Sequence, residues 1–133
     1  MWGLQLRSHN GYGPVNVAKE KMTESIVNIE VDEAVREIES GAFILDVREA
    51  DEFAAGRINA AVHIALSEIA DRLGEIDHER TIVCVCRVGG RSARATFFLS
   101  EGGFDAKNLN GGMQAWAAAQ QPMISDNETP EVI

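Results

Sequence analysis

The sequence of 133 residues contains no apolar run long enough to cross a membrane, and residues 1–22 lack the apolar stretch and cleavage site of a secretory signal. It is also short of positive charge, since 21 acidic residues against 12 basic ones give a formal net charge of -9. An acidic chain binds nucleic acid and anionic membranes poorly. We therefore expect no nucleic-acid partner, no membrane partner and a cytoplasmic location.

Cysteine is scarce as well. The two cysteines, Cys84 and Cys86, are separated by one residue, a spacing at which a disulfide within a strand would be badly strained. Two cysteines do not make the disulfide framework of a small secreted protein, so a reducing compartment fits best. The three histidines, His9, His63 and His78, show no ligand spacing, so we expect neither a metal nor a cofactor.

The length and composition of the chain are those of one globular domain. Hydrophobic residues make up 45% of it and charged residues 25%, and this length suffices for a single core. The pattern predicts strands at residues 26–29, 43–47, 61–65, 81–85 and 106–110. It predicts helices at residues 31–41, 50–56, 66–76, 91–103 and 111–122, with Ser67 as the N-cap of the third.

This alternation of strands and helices predicts the fold class. Residues 43–47 and 81–85 are apolar on both faces, which is typical of strands in a parallel sheet covered on both sides. We therefore expect a three-layer α/β domain whose central parallel sheet of about five strands is flanked by helices. Ligands of such sheets bind beyond the carboxyl ends of the strands, and Cys86 directly follows a predicted strand.

The composition also divides the chain into three segments. The alternating elements occupy residues 26–122, which form the predicted domain. An irregular tail follows at residues 123–133. Residues 1–25 form an N-terminal arm without a regular pattern and without an assigned role.

Within the arm, Met22 is followed directly by the first predicted strand, as a natural chain start would be. We hypothesise that residues 1–21 are dispensable for folding and activity, and the melting temperature of a chain beginning at Met22 tests this. The alternative is that apolar side chains of the arm cover a patch on the domain; they are Trp2, Leu4, Leu6 and Tyr12.

The segment CRVGGRS, which begins at Cys86, combines a nucleophile with an anion-binding loop. Gly89 and Gly90 let the backbone curl tightly, and Arg87 and Arg91 add two positive charges. A helix that starts here adds the positive end of its dipole. These features favour an anion, either the thiolate itself or a substrate. A thiolate in such a loop is suited to attack on an anionic sulfur or phosphorus species.

Other residues near this segment have more than one interpretation. Cys84 is predicted to be a buried hydrophobe, with a resolving thiol as the alternative. Asp46 needs a partner if it is buried, which Arg48 or an arginine of the cysteine loop can supply. Asp46 and Arg48 are predicted to brace the loop, and direct participation in catalysis is the alternative. A solvated helical first turn is predicted for Glu49, Asp51 and Glu52.

Three stretches of the chain resemble the rhodanese-like domain in its single-domain sulfurtransferase form. FILDVREADEFAAGRINAAVHI (residues 43–64) is similar to the family's Leu-Asp-Val-Arg segment. VCRVGGRSARATFFL (85–99) is similar to its active-site loop, and AKNLNGGMQAW (106–116) to its Gly-Gly-x-x-x-Trp segment. They follow the family's order and anchor most of residues 26–122. The resemblance implies the family fold, a central parallel sheet flanked by helices.

The resemblance also implies a reaction and a set of site residues. By analogy, Cys86 takes the outer sulfur of thiosulfate or a similar donor as a persulfide. A thiophilic acceptor then removes the sulfur, cyanide in vitro or a cellular thiol in vivo. The resemblance implies that substrate is bound by Arg87, Val88, Gly89, Gly90 and Arg91. Asp46, Arg48 and Ser92 are predicted to support the site. The chain departs from the family at Arg57, where histidine is common, and at Asn59, Ala60 and Ala61, where Pro-Gly-Ala is common.

Three other functions are weaker alternatives. The dual-specificity phosphatases have one more residue between cysteine and arginine than the four that separate Cys86 from Arg91. The shorter loop fits a sulfur atom better than a phosphoryl group. A non-enzymatic rhodanese-like binding or regulatory module would not need the cysteine and both arginines, and arsenate reduction is the third alternative. The sequence does not specify the physiological donor, the acceptor or the oligomeric state.

Overall fold

The computed structural model describes residues 25–133. The predictions about residues 1–21 and Met22 therefore lie outside the described residues. Five parallel strands form one sheet in the order β1-β5-β4-β2-β3. The strands are β1 (Val27–Ile29), β2 (Phe43–Asp46), β3 (Val62–His63), β4 (Ile82–Val85) and β5 (Ala106–Leu109).

Helices follow the strands along the chain. Four α-helices are described: α1 (Val31–Glu39), α2 (Ala50–Ala55), α3 (Gly90–Glu101) and α4 (Gly112–Ala118). Two short 3₁₀ helices, Leu66–Asp71 and Leu73–Glu75, connect β3 to β4. The predicted fold class, an α/β domain with a central parallel sheet of five strands, is confirmed.

Alternate residues of the central strands point to opposite faces of the sheet, and on each face apolar side chains pack against helices. Phe43, Leu45 and Cys84 pack under α3 and the first 3₁₀ helix, in a cluster that includes Ile69 and Leu99. On the other face, Ile44, Val83 and Val85 pack against α1 and α4, in a cluster that includes Ala34, Met113 and Trp116. The strands are therefore apolar on both faces, as predicted for a buried parallel sheet.

The predicted α-helix at residues 66–76 is wrong. The segment forms 3₁₀ turns instead, and Ala65 rather than Ser67 is the residue before the first turn. The turn breaks at Arg72, whose ψ is 24°, and Gly74 follows two residues later. Glycine weakens a continuing helix, and short 3₁₀ turns are common in connections of this kind.

The tail at residues 123–133 has no helix but lies against the domain. Arg57 and Ile124 pair through two main-chain hydrogen bonds of 2.9 Å each. Met123 and Val132 pack on the cluster under α1 and α4. These contacts hold the tail against the domain. The boundary predicted between the domain (residues 26–122) and the tail (residues 123–133) stays a prediction.

Candidate active site

Cys86 directly follows β4, the central strand of the sheet, with β5 and β2 on either side. Its side chain belongs to the same apolar cluster as Cys84, on the α3 side of the sheet. The residue is 1% exposed. The structure therefore places this thiol at the carboxyl edge of the sheet, where parallel α/β folds bind their ligands.

The sulfur of Cys86 accepts two hydrogen bonds from the segment that follows it. The main-chain N–H of Gly89 donates over 3.1 Å and the hydroxyl of Ser92 over 3.3 Å. Both donors lie at the start of α3, whose N-terminal end carries the positive end of the helix dipole. Hydrogen-bond donors directed at a sulfur stabilise negative charge that develops on it, so this geometry is suited to a nucleophilic sulfur.

Gly89 gives the loop its curvature. Its φ of 112° lies in the left-handed region that glycine adopts most easily. A Cβ on this residue would lie 3.3 Å from the nitrogen of Gly111 and 3.6 Å from the carbonyl of Leu109. The carbonyl of Gly89 accepts a hydrogen bond of 3.3 Å from the side chain of Asn108. Asn108 is buried at the end of β5 and was missed from the sequence, although a polar residue in a buried strand is a usable signal.

The amides at the start of α4 hold the other side of the cysteine loop. The N–H groups of Met113 and Gln114 donate to the carbonyls of Cys86 and Arg87, over 2.8 Å and 3.0 Å. Gly112 permits this approach, because a Cβ there would collide with the carbonyl of Cys86. Its φ of 57° also favours glycine. The loop is therefore held from two helices.

Asp46 and Arg48 form a buried ion pair at the carboxyl end of β2. Arg48 Nε lies 2.9 Å from Asp46 Oδ1, and Nη2 lies 2.7 Å from Oδ2. The same Nη2 donates to the carbonyl of Gly56 over 2.7 Å. Arg48 is 0% exposed and Asp46 1%. Of the two partners considered for Asp46, the structure shows Arg48, and the pair joins the end of β2 to the end of α2.

Arg91 is paired with Glu52, not with Asp46. Two parallel hydrogen bonds of 2.8 Å connect the guanidinium to both carboxylate oxygens. The hydrogen bond from Arg91 lowers the pKa of Glu52 from its ordinary 4.5 to about 2, against the opposing effect of burial. Glu52 lies in the first turn of α2 as predicted, but its side chain is only 14% exposed, so the prediction that it is solvated is wrong. The three-residue spacing between Glu49 and Glu52 was a signal in the sequence that the Glu52 side chain is engaged, since the two residues form a capping box at the start of α2.

The other loop residues lie at the surface. Val88 is exposed and so is Gly90, although Gly89 between them is buried. Arg87 is half-buried, and its Nε donates to the main-chain oxygen of Ile133 over 2.9 Å. The structure thus brings all the predicted loop residues around one buried thiol, with Arg87, Val88 and Gly90 on the accessible side.

Cys84 has a different environment from Cys86. It is fully buried within β4, and both residues are free cysteines. Burial raises the pKa of the Cys84 thiol to about 12. Cys84 is therefore protonated at neutral pH, which fits a core residue better than a nucleophile.

Among residues 25–133, no group of three or more histidine, cysteine, aspartate or glutamate side chains is placed to hold a metal ion. His63 lies 2.6 Å from the carbonyl of Arg48 and stacks on Phe53, and His78 stacks on Phe104. His9 lies outside the described residues. In the same part of the chain, no helix is long and apolar enough to cross a membrane.

A comparison with family models matches residues 30–119 to the rhodanese-like domain. The thiosulfate sulfurtransferase GlpE of Pseudomonas aeruginosa is 30% identical over 108 residues, covering 80% of this chain and 98% of GlpE. A sulfurtransferase of Allochromatium vinosum is 35% identical over 83 residues, covering 62% of this chain and 78% of that protein.

The solved structures include similar folds. A rhodanese-related protein from Thermoplasma volcanium has a TM-score of 0.70 and 28% identity, covering 74% of this chain and 97% of that one. A rhodanese-like domain protein from Staphylococcus aureus has a TM-score of 0.64 and 34% identity, covering 68% of this chain and 91% of that one. The similarity extends over nearly the full length of each of these two solved structures.

Proposed function

The chain belongs to the rhodanese-like domain family, and on that premise we propose that it is a sulfurtransferase that carries sulfur as a persulfide on Cys86. The observation that carries the proposal is the pair of hydrogen bonds from Gly89 and Ser92 to the sulfur of Cys86. These donors stabilise negative charge on a thiolate, and the curled loop around them offers the same kind of environment to a persulfide.

In the first step, the thiolate of Cys86 attacks the outer sulfur of thiosulfate or a similar donor. A new S–S bond forms between the enzyme and that sulfur. The bond from the outer sulfur to the sulfonate sulfur breaks, and sulfite leaves with its electron pair. One thiolate and one thiosulfate dianion become one persulfide anion and one sulfite dianion, so the charge balances without a proton transfer.

In the second step, a thiophilic acceptor attacks the terminal sulfur of the persulfide. Cyanide is thereby converted to thiocyanate, and a thiolate acceptor is converted to a new persulfide. In both cases the S–S bond to Cys86 breaks, and its electron pair returns to the enzyme as the thiolate. In a reducing cytoplasm Cys84 and Cys86 stay free of disulfide bonds, so Cys86 is available for the next cycle.

The surrounding residues divide into those that meet the donor and those that hold the loop. We assign donor binding to the loop backbone from Arg87 to Arg91 and to the side chain of Arg87. Arg91 is a positioning residue in this scheme, because Glu52 engages both of its Nη atoms. We assign a supporting role to Asp46 and Arg48, whose buried pair joins the end of β2 to the end of α2.

Mass spectrometry after incubation with thiosulfate alone tests the proposal. The wild-type protein is expected to gain the mass of one sulfur atom and to lose it when cyanide is added, with formation of thiocyanate. Cys86→Ser is expected to abolish the gain, and Cys84→Ser, the matched control, to keep most of it. No sulfur on the wild type, equal losses in both variants, or turnover of an aryl phosphate instead would contradict the proposal.

A further inference from the structure

We propose that the tail, residues 123–133, orients Arg87 beside Cys86 and thereby increases the affinity for the anionic sulfur donor. The inference rests on the proposed sulfur transfer and adds a specificity element to the same site. Its starting observation is the hydrogen bond of 2.9 Å from Arg87 Nε to the main-chain oxygen of Ile133. The contact joins residues 46 positions apart and places the tail next to the residue that follows the nucleophile.

The tail is anchored along its length before it reaches Arg87. The indole of Trp116 donates to the carbonyl of Pro122 over 2.9 Å, just before the tail begins. Asp126 forms a salt bridge of 3.0 Å with Arg57. Four main-chain hydrogen bonds join the tail to α2 and the residues after it: Arg57 to Ile124, Ile124 to Arg57, Asp126 to Ala54, and Glu131 to Ala55.

The chain is also shaped to receive the tail. Gly56, at the end of α2, has an extended backbone, so it needs no left-handed conformation. What it provides is space, since a Cβ would lie 2.7 Å from Met123 Cε and 2.9 Å from the nitrogen of Glu131. Val132 packs on the cluster under α1 and α4. Both ends of the tail therefore have a built contact with the domain, and Ile133 is held where Arg87 meets it.

The hydrogen bond to Ile133 uses only the Nε donor of the Arg87 guanidinium. A guanidinium carries its five N–H donors in one rigid plane, so fixing Nε also fixes the direction of both Nη groups. Among residues 25–133, Arg87 Nη1 and Nη2 have no hydrogen-bond partner, whereas those of Arg91 are engaged by Glu52. An arginine already held in place loses less rotamer freedom when it binds an anion.

Two tail variants, each with a matched control, test the inference. Val132→Asn puts an amide into the apolar contact, and Ile124→Asn makes the same change at an exposed side chain of the tail. Glu131→Pro removes the N–H that donates to Ala55, and Glu131→Gln changes the charge but keeps that N–H. The first member of each pair is expected to raise KM for thiosulfate about threefold to tenfold, the scale of ordering one long side chain, with kcat unchanged.

A second measurement does not depend on sulfur transfer. The rate of Cys86 alkylation by iodoacetate, an anion, is divided by the rate with neutral iodoacetamide. This ratio is expected to fall in Val132→Asn and Glu131→Pro and to stay at the wild-type value in both controls. In an Arg87→Ala background the tail variants are expected to change neither the ratio nor KM further.

The outcomes separate this inference from the proposed function. A wild type without sulfur transfer refutes the proposed function, while a ratio that still falls in the tail variants upholds the contact between tail and Arg87. Wild-type values of KM and the ratio in both tail variants overturn the inference. So does an effect that persists without Arg87, or a lower KM in the tail variants, which would mean that the tail withholds Arg87 from the donor.

Discussion

Glu52→Gln is expected to destabilise the protein at neutral pH, because it removes the charge that holds Arg91. A pKa lowered from 4.5 to about 2 corresponds to about 3 kcal/mol. The side chain of Arg91 is 34% exposed, so solvent screening reduces this value, and we expect a loss of about 1–2 kcal/mol. The start of α3 loses its anchor to α2 as well, so thiosulfate turnover is expected to fall.

The pH dependence gives the prediction its sign. The folded-state pKa of Glu52 is depressed, so its contribution is complete above the unfolded value near 4.5 and is lost as the pH falls towards 2. The difference in unfolding free energy between wild type and Glu52→Gln is therefore expected to be full at pH 7 and to shrink below pH 4.5. Urea denaturation of both proteins at pH 7 and at about pH 3.5 measures this difference.

Glu68→Gln is the matched control, since Glu68 forms an exposed ion pair with Arg72. Its effect is expected to stay below about 0.5 kcal/mol. The reasoning fails if Glu52→Gln is as stable as the wild type at pH 7. It also fails if the difference between them does not change with pH, because the loss would then come from packing and not from the charge.

Two further substitutions test the support of the cysteine loop. Gly112→Ala is expected to lower the free energy of unfolding by more than about 2 kcal/mol and to remove most of the sulfur transfer. The reason is that the new Cβ collides with a loop carbonyl and that a φ of 57° disfavours alanine. Gly74→Ala, with no atom within 4 Å of the new Cβ, is the control in urea denaturation. Asp46→Asn leaves the buried guanidinium of Arg48 without its counter-charge and is expected to cost about 3–5 kcal/mol. Asp126→Asn, in an exposed pair, should cost under about 0.5 kcal/mol in the same assay, and equal losses would contradict the argument.

The secondary structure was predictable where one local pattern dominated. Apart from Asp46, the runs that form β2 and β4 are apolar, which is typical of strands in the interior of a covered sheet. The segment at residues 66–76 lacked such a dominant signal. Its apolar spacing resembled a helix, but few of its side chains are buried and Gly74 weakens the helix, so 3₁₀ turns formed.

The partners of charged side chains were harder to predict from the sequence. Arg91 and Glu52 are 39 residues apart, and each had several candidate partners of opposite charge. Which carboxylate meets which guanidinium depends on how α2 and α3 are placed over the sheet. The same holds for Asn108, whose contact with the loop arises only because β5 lies beside β4.

The sequence by itself determined the α/β class, the family and the nature of the loop that begins at Cys86, because these depend on residue types at short, regular spacing. Only the tertiary structure decided that Glu52 holds Arg91, that the start of α4 supports the loop, and that Ile133 meets Arg87. Such contacts form between segments far apart in the chain. Their geometry follows from the packing of whole elements, for which no short stretch of sequence carries a signal.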